Sequence, residues 1–218
     1  MDVYEAIEKR RTVRSFSHGA SEQQLRKLLF AGVRAPSGSN VQPWEFIIVD
    51  DPAVTQQIAE HKYQQTLKMA LDNMFLDDPA TIEKVFNQTG QIPSPRGARI
   101  QREAYRNCTV VAVCNQKGHG KGRKPWMNVE NIASTWMCIE NMTLVATAEG
   151  LGIQISILRE EHKIAVEILP GVTDDYELAT MLLIGRPAEV PREKEMGTIR
   201  PDFSWLHRNK FRIAATLA

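Results

Sequence analysis

The chain has 218 residues, 43% hydrophobic and 24% charged, a composition typical of a globular domain with a substantial core. Its 27 lysines and arginines nearly balance 26 aspartates and glutamates, and the formal net charge of +1 argues against a nucleic-acid partner. No stretch approaches the ~18 apolar residues of a transmembrane helix, so no membrane partner is expected.

Cysteine usage indicates a reduced compartment. The three cysteines, Cys108, Cys114 and Cys138, are odd in number and show no Cys-x-x-Cys spacing. The charged, amphipathic N-terminal segment lacks the apolar core of a signal peptide, so a cytoplasmic protein is expected. Neither the cysteines nor the five histidines pair at ligand spacing, and no metal site is predicted.

The first two predicted helices each begin with a capping box. Asp2 with Glu5 predicts one helix start, and Ser21 with Gln24 predicts the next. Leucines at helical spacing follow Ser21 until Pro36, which ends the second helix. Between the two helices the chain is expected to be extended.

Helices and strands alternate along the rest of the chain. Short apolar runs predict strands over 45–50, 108–114, 153–158 and 178–184. Helical spacing predicts a long helix from Pro52, an apolar one over 128–148 and a short one over 160–168. The segment 87–96, with its prolines and glycine, is predicted to be irregular and mobile.

The alternation indicates an α/β or α+β domain around a central mixed sheet. The whole chain, residues 1–218, is expected to form a single domain. The 128–148 helix is apolar over much of its circumference, so we expect it to be buried, in part against a partner subunit.

A tight cluster of arginines follows the first helix. Arg10, Arg11 and Arg14 place three guanidinium groups within five residues. Each guanidinium is a planar fork of donors that fits phosphate oxygens two at a time, so the cluster could hold an anionic cofactor. An alternative reading stays open, because basic residues at a helix C-terminus also stabilise the helix dipole without any ligand.

A turn-rich loop, Ala-Pro-Ser-Gly-Ser-Asn-Val-Gln-Pro-Trp over 35–44, leads into the first predicted strand. A plain helix stop followed by a turn would explain its proline, glycine and serines. That alternative gives no reason for the Asn-x-Gln-Pro-Trp at the exit of the loop.

Together these two stretches resemble the FMN-dependent nitroreductase family. The family opens with Arg-Arg-x-x-Arg-x-Phe, here Arg10 to Phe16, and continues with Pro-Ser-x-x-Asn-x-Gln-Pro-Trp, here Pro36 to Trp44. The resemblance continues at 148–152, at 183–187 and at Arg200, and it is weakest over about 60–107. It implies an α+β fold of three layers, in which helices flank a mixed, mainly antiparallel sheet.

The resemblance also implies an FMN site. Arg10 and Arg200 would hold the phosphate, while Arg11, Thr12 and Arg14 would run along the phosphate, the ribityl chain and the ring edge. A cation beside N1 and C2=O favours the reduced flavin, and Arg14 is the candidate for that role.

The rest of the implied site comes from a loop and a strand end. The loop would reach the flavin from the opposite subunit of a homodimer, through Pro36, Ser37, Gly38, Asn40 and Gln42. The strand end would lie beside N5, at Ser156, Ile157 and Leu158. At these last three residues the chain departs from the family, because the stretch Ile-Gln-Ile-Ser-Ile over 153–157 matches no subfamily pattern.

The activity implied by the resemblance is ping-pong hydride transfer. NAD(P)H would reduce the flavin at N5 and leave, and an electron-poor small molecule such as a nitroaromatic, quinone or enone would take its place. No catalytic side chain is assigned, because the flavin carries the chemistry. A lid that selects substrate is expected over about 60–107, and a tail over about 187–218 would wrap the partner subunit.

Several alternatives remain beside this reading. A reductive dehalogenase or a flavin-fragmenting enzyme would share the binding motifs, and a non-catalytic flavin-binding module is the alternative from another class. A hydrolase has no Gly-x-Ser-x-Gly elbow to support it. The basic, glycine-rich loop over 117–124 lacks the Lys-Ser/Thr of a phosphate loop and is interpreted as a solvated connection.

Overall fold

Helices and strands alternate along the part of the chain that the computed structural model describes, residues 1–74, 95–118, 125–158, 167–169 and 171–189. In chain order the elements are α1 Val3–Lys9, β1 Phe16–Gly19, α2 Glu22–Gly32, β2 Trp44–Val49, α3 Pro52–Met74, α4 Pro95–Glu103, β3 Thr109–Gln116, α5 Pro125–Ala148, β4 Gly152–Ser156 and β5 Tyr176–Pro187. A single 3₁₀ turn spans Gly38–Asn40.

Both predicted capping boxes are present. The Asp2 carboxylate accepts from the backbone N–H of Glu5 at 2.9 Å, and the Glu5 carboxylate accepts from the backbone N–H of Asp2 at 3.2 Å. Ser21 and Gln24 make the same reciprocal pair at the start of α2. These bonds satisfy backbone donors that have no partner inside the helix, and they fix where each helix begins.

The sheet is organised around β5, the longest strand. β5 pairs with β1, β3 and β4, and β3 in turn pairs with β2, all antiparallel. One parallel bridge, between Thr12 and Ile153, fastens the segment after α1 to β4. The predicted mainly antiparallel sheet is confirmed.

Side chains alternate across β3 and divide the core in two. Val110, Ala112 and Cys114 face a cluster that includes Ile58 and Ala59 of α3. The intervening side chains of β3 face a second cluster with α2 and α5, at Val111 and Val113. Since helices cover both faces of the sheet, the three-layer α+β fold is confirmed.

The boundaries differ from the predicted ones in a few places. β1 was not predicted, because only one of its four residues is buried and the burial pattern carries no alternation. α4 begins at Pro95, inside the segment predicted to be irregular, and α5 begins at Pro125, three residues early. Proline is well suited to the first helical position, since its missing N–H would have no partner there.

Some predicted elements lie outside the described residues. These are most of the irregular segment, most of the 160–168 helix, the loop over 119–124 and the tail from 190 onward.

A close backbone approach makes Gly152 necessary. A Cβ at Gly152 would collide with the side chain of Val13, which lies over the start of β4. We expect Gly152→Ala to lower the free energy of unfolding by about 1–3 kcal/mol, the cost of overpacking a rigid site. Urea unfolding followed by circular dichroism measures this difference.

Gly38→Ala is the matched control, because the atom nearest to a Cβ there is a carboxylate oxygen of Glu130, at 3.1 Å, which can move aside. Equal effects of the two substitutions would contradict the prediction.

Candidate functional site

The three guanidinium groups after α1 point to different places. Nε of Arg10 lies 3.9 Å from Oε1 of Glu140 on α5. Arg11 donates from Nη1 to the backbone carbonyls of Glu8 and Arg10 at the end of α1. Arg11 therefore serves the helix C-terminus in this structure, as the alternative reading of the cluster allowed.

The segment that carries Arg14 is held firmly against β4. Thr12 bridges to Ile153, and the backbone N–H of Val13 donates to the carbonyl of Ile153 at 3.2 Å. The Val13 side chain is buried over Gly152. This attachment fixes the backbone on either side of Thr12 and brings Arg14 to the wall of a cavity.

The cavity has a volume of about 680 Å³ and lies between the segment 12–16 and α4. One wall carries two of the predicted cofactor residues, Thr12 and Arg14. The other wall is formed by α4 and the turn after it, residues 96–107. A volume of this size is typical of pockets that enclose most of a small organic molecule.

Charged side chains dominate the second wall. Arg96, Arg99 and Arg106 line the cavity, and Glu103 lies among them. Nη1 of Arg106 is 2.9 Å from Oε2 of Glu103. These arginines were missed by the sequence reasoning, although four arginines within the eleven residues 96–106 were a visible signal.

The loop over 36–42 adopts a strained backbone. Ser39, Asn40 and Gln42 have φ values of 50°, 57° and 50°, in the left-handed region that non-glycine residues rarely enter. The backbone N–H of Gln42 donates to the Ser37 hydroxyl at 3.0 Å, and its side-chain amide donates to Oδ1 of Asn40 at 3.3 Å. Such strain costs about 1–3 kcal/mol per residue and collects at functional sites, so a plain turn is the weaker interpretation.

Within one chain the loop and the arginines lie apart. A Cβ at Gly38 would be 3.1 Å from Oε2 of Glu130, whereas Arg10 lies near Glu140 on the same helix. Ten residues of α-helix separate those two glutamates, a distance of about 15 Å along the axis. Within a single chain, the loop over 36–42 and Arg10 therefore lie near different ends of α5.

The predicted strand end divides between core and surface. The Ser156 hydroxyl is buried and accepts a 2.9 Å hydrogen bond from the Tyr105 hydroxyl, whose pKa is raised by burial. Leu158 is fully buried. Ile157 is half exposed, and its carbonyl accepts from Nζ of Lys62 at 2.6 Å. Of these three predicted site residues, only Ile157 is exposed in this structure.

A buried amide pair lies behind this strand end. Nε2 of Gln154 on β4 donates to Oε1 of Gln101 on α4, and both side chains are buried. Oε1 of Gln154 has no hydrogen-bond partner among the described residues. Together with the Tyr105 bond, this pair connects α4 and the turn after it to β4.

α5 is buried on one side only. Ile139 and Met142 are fully buried, as the apolar sequence of the helix predicted. Along its other side an apolar row is exposed at helical spacing, formed by Trp126, Val129, Ile132 and Met137. α1, which packs on α5, exposes three more large apolar side chains, Val3, Tyr4 and Ile7.

The cysteines take no part in the cavity that holds Arg14. Burial raises the pKa of Cys108 to about 12, of Cys114 to about 11 and of Cys138 to about 12. Thiols with such values are protonated at neutral pH and are poor nucleophiles. A second cavity of about 900 Å³, between α3 and the turn after α4, includes Cys108 but none of the predicted site residues.

Arg200 lies outside the described residues, as does the part of the expected lid over 75–94. Among the residues that are described, no cluster of histidine, cysteine, aspartate and glutamate could hold a metal ion. None of the helices in those same ranges has the length and apolar character to cross a membrane. The cytoplasmic location stays a prediction.

Comparison with known proteins supports the resemblance seen in the sequence. A family model described as "Nitroreductase family" matches residues 7–186. Protein DrgA of Synechocystis sp. is 30% identical over 192 residues, which cover 87% of this chain and 86% of that protein. A protein named NADH dehydrogenase from Thermus thermophilus is 26% identical over 196 residues, 87% of this chain and 88% of the relative.

The fold is also found among solved structures. An oxidized iodotyrosine deiodinase bound to FMN and 3-iodo-L-tyrosine superposes with a TM-score of 0.71. The match covers 96% of this chain and 100% of that chain at 19% sequence identity. At that identity the likeness shows the fold alone.

The strained loop gives a test that separates binding from folding. Gln42→Gly removes a side chain from a left-handed position, which releases about 1–2 kcal/mol of strain and adds about 0.4–1 kcal/mol of unfolded-chain entropy. We therefore expect the free energy of unfolding to stay level or rise, while FMN retention on gel filtration falls.

Gln24→Gly is the control for this test. Gln24 lies inside α2 and completes a capping box, so its loss should reduce stability by about 1 kcal/mol or more. Parallel losses of stability and of FMN in Gln42→Gly would show that the residue acts only through folding.

Proposed function

Because the chain belongs to the nitroreductase family, we propose that it is an FMN-dependent oxidoreductase that passes hydride from NAD(P)H to an electron-poor acceptor such as a nitroaromatic, quinone or enone. The observation that supports this most directly is the 680 Å³ cavity beside the signature segment, with Thr12 and Arg14 on its wall. When bound, FMN would supply a two-electron carrier, and the protein would supply binding, orientation and electrostatics.

The residues around the cavity fit this cofactor. Thr12 offers a hydroxyl and Arg14 a guanidinium on a backbone that β4 holds in place, so little rearrangement is needed on binding. Val13 and Phe16 supply apolar surface to the same cavity. This combination of an apolar wall with a few polar groups is typical of cofactor sites.

Arg10 can serve the phosphate without a large cost. Its 3.9 Å contact with Glu140 joins side chains that are 38% and 53% exposed, and such exposed pairs contribute little to stability. A doubly charged phosphate would compete well with one distant carboxylate. Arg200 would complete the phosphate site, as the resemblance implies.

The functional unit is a homodimer in this proposal. The strained loop of one chain would contact the flavin that is bound by the arginines of the partner subunit. This arrangement would explain why the loop and Arg10 of one chain lie apart along α5. The exposed apolar row on α5 and the exposed side chains of α1 would form the interface. In this proposal residues 1–218 form one domain. The region over about 60–107 acts as a lid that selects substrate, and the tail over about 187–218 wraps the partner subunit.

A reductive dehalogenase is the second candidate, because an iodotyrosine deiodinase of Haliscomenobacter hydrossis is 32% identical over 81 residues, 35% of this chain. A flavin-fragmenting enzyme on the same fold and a non-catalytic flavin-binding module are the remaining alternatives. Anaerobic mixing with NADH or NADPH separates catalysis from storage. An oxidoreductase bleaches its flavin rapidly and regains colour when acceptor is added, whereas a storage module does neither.

The cofactor role of Arg14 is tested by substitution. We expect Arg14→Ala to weaken FMN binding by about 1.5–3 kcal/mol, the contribution of one charge-assisted hydrogen bond. Fluorescence titration of flavin-free protein with FMN measures the Kd. Arg26→Ala is the control, since Arg26 lies on α2, is 78% exposed and pairs with Glu22. Unchanged binding in Arg14→Ala would remove that residue from the site.

The two-subunit site is tested by mixing variants. Arg14→Ala and Asn40→Ala chains, each with its own affinity tag, are refolded together and the mixed dimer is isolated. If each site takes Arg14 from one chain and Asn40 from the other, one site is intact and the mixed dimer binds about half the wild-type flavin. The titration uses FMN at a concentration between the wild-type and variant Kd values.

Either homodimer should bind far less flavin than the mixed dimer under those conditions. A mixed dimer that binds no more flavin than its parents would place both residues in the site of a single chain and would contradict the proposal.

A further inference from the structure

α4 contributes arginines that the proposed flavin site does not require. Arg96 and Arg99 lie three residues apart on the helix, Arg106 follows in the turn after it, and all three line the cavity. Among the described residues that line the cavity, these three and Arg14 make four arginines against two glutamates, Glu103 and Glu189, an excess of two positive charges. The whole chain has a formal charge of only +1, so positive charge is concentrated here.

The position of these charges is unfavourable for the helix itself. The first turn of α4 contains Arg96 and no acidic residue. A cation at a helix N-terminus opposes the helix dipole and is therefore unfavourable there. A local arrangement that works against stability points to a functional use. An anion in the cavity would be attracted both by Arg96 and by the N-terminus of the helix, and its binding would offset this unfavourable interaction.

The side of α4 that faces α3 carries an arginine with a packing role. Arg102 lies over the ring of Tyr63 at 4.5 Å and has Nη1 3.5 Å from Oε2 of Glu60. It therefore packs between α4 and α3 and lines the other cavity. Arg96 and Arg99 line the cavity with Arg14.

The phosphate of FMN does not account for these groups. Arg10, proposed to hold that phosphate, contacts Glu140 on α5, and α5 covers the sheet face opposite to α3. The arginines of α4 line a different part of the molecule, on the cavity side of the segment 12–16. An anionic group other than the cofactor phosphate would explain them.

We propose that Arg96 and Arg99 bind an oxyanion on the small molecule that exchanges electrons at this site. This inference rests on the proposed function and adds a substrate class to it. A planar guanidinium binds a carboxylate or phosphate through two parallel hydrogen bonds, and two arginines one helical turn apart can grip the same group. The oxyanion is either a carboxylate of the acceptor or the additional phosphate that distinguishes NADPH from NADH.

The experiment compares matched pairs that differ in this one group. The acceptor pair is 4-nitrobenzoate and 4-nitrobenzyl alcohol, and the reductant pair is NADPH and NADH. kcat/KM is measured for each in the FMN-loaded wild type and in Arg96→Gln, Arg99→Gln and Arg102→Gln. We expect the wild type to prefer the anionic member of at least one pair. Each cavity-side variant should lower that preference about tenfold, mainly through KM.

Arg102→Gln is the matched control, because it removes the same charge from the same helix at a residue that contacts α3. It should leave the preference unchanged. Raising the salt concentration should reduce the wild-type preference, since screening weakens exposed charge pairs. A loss confined to the acceptor pair assigns the oxyanion to the acceptor, and one confined to the reductant pair assigns it to NADPH.

Two further measurements keep the two proposals separate. Flavin content and anaerobic bleaching report on the proposed function, whatever the substrate preference. Calorimetric titration of the FMN-loaded protein with 4-nitrobenzoate and with NADP⁺ reports on the oxyanion site without turnover. Equal preference and equal binding in the wild type, Arg96→Gln and Arg99→Gln would overturn the inference, while flavin reduction would leave the proposed function intact.

Discussion

The attachment of the segment after α1 to the start of β4 is the constraint on which the proposed site depends. It consists of one backbone hydrogen bond, from Val13 to Ile153, one bridge at Thr12, and a glycine that leaves room for Val13. Because β4 is hydrogen-bonded along its length to β5, the backbone next to Arg14 is anchored to the central, buried part of the sheet. Arginine side chains are flexible, and a fixed backbone is what makes one of them a useful ligand-binding group.

The second wall of the cavity is set by a different kind of contact. α4 and the turn after it are tied to β4 by polar pairs inside the core, Gln101 with Gln154 and Tyr105 with Ser156. Buried polar pairs are costly unless they are satisfied, and they specify one relative position of the two elements. The two walls therefore share β4 as a common support, one attached through its backbone and the other through its side chains.

The sequence was sufficient for the fold and for the two motifs, but not for the way the motifs relate in space. Capping boxes, prolines and β-branched runs are local signals, so α1, α2 and the central strands followed from them. The side-chain directions of the clustered arginines did not follow, because the Arg11 guanidinium donates to the end of α1 whereas Arg14, three residues later, lines the cavity. The left-handed backbone at Gln42 had no signal either, since glutamine is not a residue that marks such a position.

The two sides of α4 differ in what they can tolerate. Ala98 and Gln101 face the interior, where any change of volume or polarity would disturb the attachment to β4. Arg96 and Arg99 are exposed and line the cavity. Mutation can therefore alter the cavity face while the core face stays the same. Evolution can therefore change the range of small molecules that this cavity accepts through one or two substitutions at exposed positions, without a change of fold.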